Sequence, residues 1–214
     1  MIITYYGAFC FKVQSGETVI AFNPPSKESE YKSPRFSADI VLISVNHKDY
    51  NGWSELSGKN GAKPFVIEGG GEYEIGGVNV RGINADKFNT IYALSFEDIS
   101  LCHLGAFGGT LSPEQKEEIG KIDILFIPIA APDMPDGSRG GREQGEFLDA
   151  PKAAQIAAGI EPRIVVPMRY ETAQLKKFLK EFGSEEIKSS DKLTLKKKDL
   201  AEAKTEVVIL EPVV

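Results

Sequence analysis

Histidine and cysteine are scarce in this chain, with two of each in 214 residues, and there is a single tryptophan. Two cysteines set in apolar runs, Cys10 and Cys102, make no disulfide framework and read as small core hydrophobes. Positive charge is also short. Lys and Arg number 25 against 31 Asp and Glu, a net charge of -6 that argues against nucleic acid as a partner, because phosphate affinity rests on accumulated cations. The one basic cluster, Lys192 to Lys198, is broken by Leu193, Thr194 and Leu195 and reads as a strand with a solvated face. No apolar run reaches the roughly 18 residues that cross a bilayer, and no secretory signal opens the sequence. The expectation is a cytoplasmic protein with no membrane partner.

What is present is ordinary for a globular chain, with 42% hydrophobic and 26% charged residues. The length suits one layered domain over residues 1–214. Short apolar or alternating segments bounded by Gly, Asn, Ser or Pro predict strands over Ile2–Tyr6, Cys10–Gln14, Thr18–Phe22, Ile40–Val45, Pro64–Glu68, Tyr73–Ile75, Val78–Ile83, Thr90–Phe96 and Ile99–Leu104. Gly76-Gly77 marks a hairpin. The period then changes. Ser112-Pro-Glu-Gln supplies an N-cap and a first-turn proline, so a helix begins there. A buried strand over Ile122–Ile129, a helix over Ala150–Ala158, a strand over Ile164–Met168, a helix over Glu171–Phe182 stopped by Gly183, and a strand over Glu206–Leu210 complete the order. Strands followed by helices alternating with strands imply sheets covered by helices. The polar stretch from Pro132 to Glu146 has the length of a loop kept for function or of a disordered one.

One turn concentrates the chemistry. Ala38-Asp-Ile-Val-Leu-Ile-Ser runs as a buried strand into Val45-Asn-His-Lys-Asp-Tyr-Asn, placing His47 and Asp49 two positions apart at a strand end. That is the outline of a metal-binding turn, interrupted by Val45 and Tyr50.

Six stretches in order carry a wider likeness: Ile3-Thr-Tyr-Tyr-Gly-Ala-Phe-Cys-Phe, Ala38-Asp-Ile-Val-Leu-Ile-Ser, Gly71-Glu-Tyr-Glu-Ile-Gly-Gly-Val, Asn89-Thr-Ile-Tyr, Leu101-Cys-His-Leu-Gly and Val165-Val-Pro-Met-Arg-Tyr. Over nearly its whole length the chain resembles metallo-beta-lactamase-fold proteins, in the branch of zinc-dependent hydrolases related to ascorbate-6-phosphate lactonase. The resemblance implies an α/β fold, a four-layer αββα sandwich, with two divalent metals on one edge that activate a shared water.

Carried over position by position, the family's ligands are half absent. The first loop histidine falls on Val45, the second on His47, the aspartate on Asp49 and the third histidine on Tyr50. The later histidine matches His103, the bridging aspartate falls on Ala106, the last histidine on Arg169, and an orienting aspartate on Asn23. The resemblance therefore implies a hydrolase homologue that has lost its dinuclear site and activity and serves as a binding or structural protein. The alternative is a hydrolase of a phosphorylated lactone, phosphodiester or ester on a reduced mononuclear site at His47, Asp49 and His103, with Asp49 and Tyr50 as the catalytic candidates. No cofactor is expected, zinc or manganese being at most weakly held. Arg169 is expected to pair with Asp49 and, with Asn46, to bind a small anion or a protein partner; self-association is compatible with the chain. Asp149 is expected to cap the helix that follows it rather than to act in chemistry.

Overall fold

The structure, a computed structural model, describes residues 1–129, 148–183, 189–201 and 204–213. The predicted loop at 132–146 lies outside the described residues. The first half of the chain folds as strands β1 (Ile2–Tyr5), β2 (Phe11–Ser15), β3 (Thr18–Phe22), β4 (Ile40–Ile43), β5 (Phe65–Glu68), β6 (Gly71–Ile75), β7 (Val78–Asn84), β8 (Thr90–Phe96) and β9 (Ile99–His103). Helix α1 (Pro113–Ile119), strand β10 (Ile124–Pro128), helix α2 (Ala150–Ile160), strand β11 (Ile164–Met168) and helix α3 (Thr172–Glu181) follow. Short strands β12 (Ser189–Ser190), β13 (Lys192–Thr194), β14 (Glu206–Val207) and β15 (Ile209–Leu210) end the chain.

Two mixed sheets result, ordered β13-β1-β2-β3-β4-β5 and β14-β11-β10-β9-β8-β7-β6. The two sheets share one core between them, as expected of the central layers of the sandwich. Strands β3, β4 and β5 run parallel in the first sheet, and β9, β10, β11 and β14 run parallel in the second. Parallel strands covered on both faces need continuous apolar runs, which is why Ile40–Ile43 and Ile124–Pro128 are buried at every position. Alternate side chains of β4 part company accordingly. Ile40 and Leu42 enter the core between the sheets, while Val41 and Ile43 face outward against Ala21, Ala38 and Leu56.

The inter-sheet core holds a cluster of Phe11, Phe22, Phe126 and His103, with Phe11 and Phe126 ring centres 4.6 Å apart. All three phenylalanines are fully buried, each contributing about 2–3 kcal/mol of transfer free energy. A second core, with Leu125, Ile127, Ala153, Ala157, Phe178 and Leu179, lies on the other face of the second sheet under α2 and α3. The outer face of the first sheet is covered more thinly, by Leu56 and Trp53 at the 3-10 turn Trp53–Glu55 and by Phe36.

Local signals act as expected. Ser112 and Gln115 form a reciprocal capping box with Pro113 in the first turn, and the Asp149 carboxylate accepts from Lys152 N–H at the start of α2. Gly76 and Gly77, at φ 57° and 80°, make the two-residue turn between β6 and β7. The Lys192–Lys198 stretch departs from its reading as one strand. It pairs with β1 over Lys192–Thr194 alone; Leu195 is buried in the core and a 3-10 turn follows at Lys197–Leu200.

Candidate functional site

Parallel strands send their carboxyl ends to one edge, so the segments after β3, β4, β9 and β11 meet there. Asn23 follows β3, Ser44 to Asn51 follow β4, Leu104 to Phe107 follow β9 and Arg169 follows β11. This is the edge where the family resemblance puts its metals.

Hydrocarbon fills much of it. Val45, Tyr50 and Ala106 are 4%, 3% and 8% exposed and belong to the inter-sheet core, together with Phe9, Tyr5 and Met168. The Phe9 and Tyr50 rings lie 4.8 Å apart, and burial pushes the Tyr50 phenol up from its ordinary pKa, although the nearby Arg169 charge opposes the shift. A neutral buried phenol is neither a base nor a good ligand.

His103 is fully buried and committed to the backbone. Gly105 N–H donates to its Nδ1 at 3.0 Å, which leaves the proton on Nε2, 3.1 Å from the Phe9 carbonyl oxygen that accepts it. The ring lies stacked on Phe22. Desolvation lowers its pKa to about 3, so it is neutral at physiological pH with both nitrogens occupied.

His47 and Asp49 stand at the mouth. His47 Nδ1 accepts from Asp49 N–H at 3.2 Å and lies 3.6 Å from the Asp49 carboxylate, a separation too long for a second hydrogen bond. Asp49 Oδ1 instead accepts from Ser29 Oγ at 2.6 Å. The expected Arg169–Asp49 ion pair is corrected, since no such pair occurs among the described residues. Arg169 sits at φ 48°, its N–H donates to the Tyr5 hydroxyl, and its guanidinium lies over the Phe9 ring, 5.5 Å from the centroid. Asn46, expected beside that pair, accepts from Asn51 Nδ2 at 2.8 Å. His47, Asp49 and His103 do not gather into a ligand set. Among the described residues no three His, Cys, Asp or Glu side chains could hold one ion.

Polar groups outside the expected ligand set hold the edge together. Asn23, fully buried at φ 44°, accepts from Ser44 N–H at 2.7 Å and donates to Ser44 Oγ at 3.2 Å. Asn89 donates to the Leu104 carbonyl and accepts from Ala106 N–H, at 2.9 and 2.8 Å. Thr90 N–H donates to the Ser44 carbonyl, and the Tyr92 hydroxyl reaches the carbonyls of Ile43 and Ile67, each bond joining one sheet to the other. Of these, Asn23 alone is given a role by the family pattern; Ser44, Asn89, Thr90 and Tyr92 lie in stretches that carry the family likeness, without a role assigned to any of them.

A profile of the Beta-lactamase superfamily domain matches residues 2–169. A UPF0173 protein of Pyrococcus abyssi is 29% identical over 80% of this chain and 84% of its own length. A UPF0173 metal-dependent hydrolase of Listeria monocytogenes is 23% identical over 82% and 87%. Among solved structures, a proposed zinc-dependent hydrolase of the metallo-beta-lactamase superfamily from Thermotoga maritima superposes with a TM-score of 0.76 at 25% identity, covering 98% of this chain and 99% of its own.

These relatives overturn the expectation of no cofactor beyond weakly held zinc or manganese. Proteins of this kind are named metal-dependent and zinc-dependent hydrolases, so a metal is what the kinship implies. The described residues at the strand ends do not fit a pair of metals. Val45 and Ala106 have no donor atom, Tyr50 is a buried phenol, and the His103 lone pair is taken by Gly105.

Proposed function

From the membership of this chain in the metallo-beta-lactamase superfamily, whose members beside it are named metal-dependent hydrolases, we propose that it has lost the family's dinuclear site at this edge, with its hydrolase activity, and is retained as a binding protein. The observation that carries the reading is His103. A histidine whose Nδ1 accepts from Gly105 and whose Nε2 donates to Phe9 works as a core hydrogen-bonding group, and ligation would require breaking one of those bonds inside an apolar cluster. The remaining His47 and Asp49 serve the loop backbone and Ser29.

The partner in this reading is a small anion or another protein, and self-association is compatible with it. The buried, unpaired thiols of Cys10 and Cys102 suit a reducing compartment such as the cytoplasm. Among the described residues no helix is long and apolar enough to cross a membrane.

Elemental analysis of protein purified without chelator, before and after dialysis against zinc and manganese, tests the proposal. Whatever metal the protein carries is expected to be unchanged in His47→Ala, Asp49→Ala and His103→Gln. Model phosphodiesters and esters are expected to hydrolyse at the rate without enzyme. Loss of two equivalents of metal in those variants, or metal-dependent turnover abolished by them, would defeat it.

A further inference from the structure

The family loop retains Asp49, and its carboxylate accepts from Ser29 Oγ. Ser29 Oγ also accepts from Tyr31 N–H within the turn after β3, and Ser26 N–H donates to the Lys48 carbonyl and Gly52 N–H to the Pro24 carbonyl, so with the Ser29–Asp49 bond that turn is fastened to the loop after β4 at three points. Gly52 lets the two segments meet: a Cβ there would fall 2.3 Å from Pro25 backbone atoms.

Beyond Ser29 opens a groove of about 1170 Å³, larger than a typical pocket for a small organic ligand. Lys27, Lys32 and Arg35 line it with Glu30 and Glu55, three cations against two carboxylates on a chain whose net charge is -6. None of those three cations forms an ion pair among the described residues. Three rings, Tyr6, Tyr31 and Phe36, stand among them. The Tyr6 and Phe36 centroids are 4.8 Å apart, and Lys12 Nζ lies 5.6 Å from the Phe36 centroid.

Cations that form no ion pair among the described residues, beside flat apolar surface, match a ligand with one phosphate and one planar ring. A phosphate monoester carries about -1.5 to -2 at neutral pH, within reach of three cations, whereas two carboxylates in the same wall disfavour a long polyanion. Stacking on aromatic rings is tolerant of which base is presented. We propose that this groove binds a nucleoside monophosphate, with Lys27, Lys32 and Arg35 on the phosphate and Tyr6, Tyr31 and Phe36 beside the ring, and that Asp49 acts through Ser29 as its positioning residue. The inference rests on the reading of the chain as a binding protein and names the ligand class.

Isothermal titration of the full chain with adenosine, guanosine and uridine 5′-monophosphates tests it, with inorganic phosphate and adenosine as partial probes. One monophosphate is expected per chain, displaced by excess inorganic phosphate and weakened by added salt. Arg35→Glu, at an exposed position, is expected to bind roughly ten- to a hundredfold more weakly, the loss of one charge-assisted bond. Phe36→Ala, Ser29→Ala and Asp49→Ala are expected to weaken binding by smaller factors, with melting curves showing each variant folded. Absence of heat with all three monophosphates, or affinity indifferent to Arg35→Glu and Lys32→Glu, would overturn the proposal. Its failure is separable from that of the parent reading. Metal lost in His47→Ala defeats the latter and leaves the groove standing, whereas silent titrations of a protein without hydrolase activity defeat the groove alone.

Discussion

The imidazole of His103 lies flat on the phenyl ring of Phe22, centroids 4.8 Å apart and planes 9° from parallel. Protonation would put a charge into that stack and remove the lone pair that accepts from Gly105. The folded-state pKa is lowered to about 3 from an ordinary 6.5, so between those values the unfolded chain binds the extra proton and the native state does not. Stability is fully present above pH 6.5 and falls as pH drops through the window, by up to about 1.4 kcal/mol per unit. Urea denaturation from pH 7 to pH 4 is expected to show this slope, and His103→Gln to flatten it. Equal slopes in the two proteins would refute the assignment.

Asn89 is the brace of the segment after β9. Its side chain is 1% exposed and satisfies Leu104 and Ala106 backbone groups. Asn89→Ala leaves both unpaired in a dry place and is expected to cost about 2–4 kcal/mol in chemical denaturation. A loss below about 0.5 kcal/mol, the usual range for a surface change, would show that water replaces the amide.

Restoring the family residue at Ala106 is expected to harm rather than help. Ala106 is part of the inter-sheet core, and Ala106→Asp puts a carboxylate there without a partner. A loss of about 3 kcal/mol or more in thermal unfolding is expected, with no gain in hydrolysis. A stable Ala106→Asp protein that takes up zinc would contradict the filled edge described above.

Cys10 and Cys102 are fully buried, and desolvation pushes both thiols well above their ordinary pKa. Neither is expected to react with a thiol reagent in the native protein, and both to react promptly in denaturant. Fast modification of the folded chain would place one of them at the surface.

Residue identity and periodicity carried much of the fold. The continuous apolar runs at Ile40–Ile43 and Ile124–Pro128 read as buried strands, and Ser112 followed by Pro113 announces a helix start from adjacent positions. The tail was read less well. Glu206 to Leu210 read as one strand, yet Glu206–Val207 pairs with β11 and Ile209–Leu210 with β12, a division set by two different neighbours.

The sequence by itself also determined which ligand positions cannot coordinate, because Val45 and Ala106 carry no donor atom whatever surrounds them. Only the tertiary structure decided what the surviving polar groups do. The partner of His103 Nε2 is a carbonyl 94 residues away, Asp49 answers to Ser29 across 20 residues, and Arg169 turns to Phe9 instead of Asp49. A hydrogen bond or ion pair is chosen by distance, direction and the local exclusion of water, and those are properties of the packed sheets that no short stretch of chain contains.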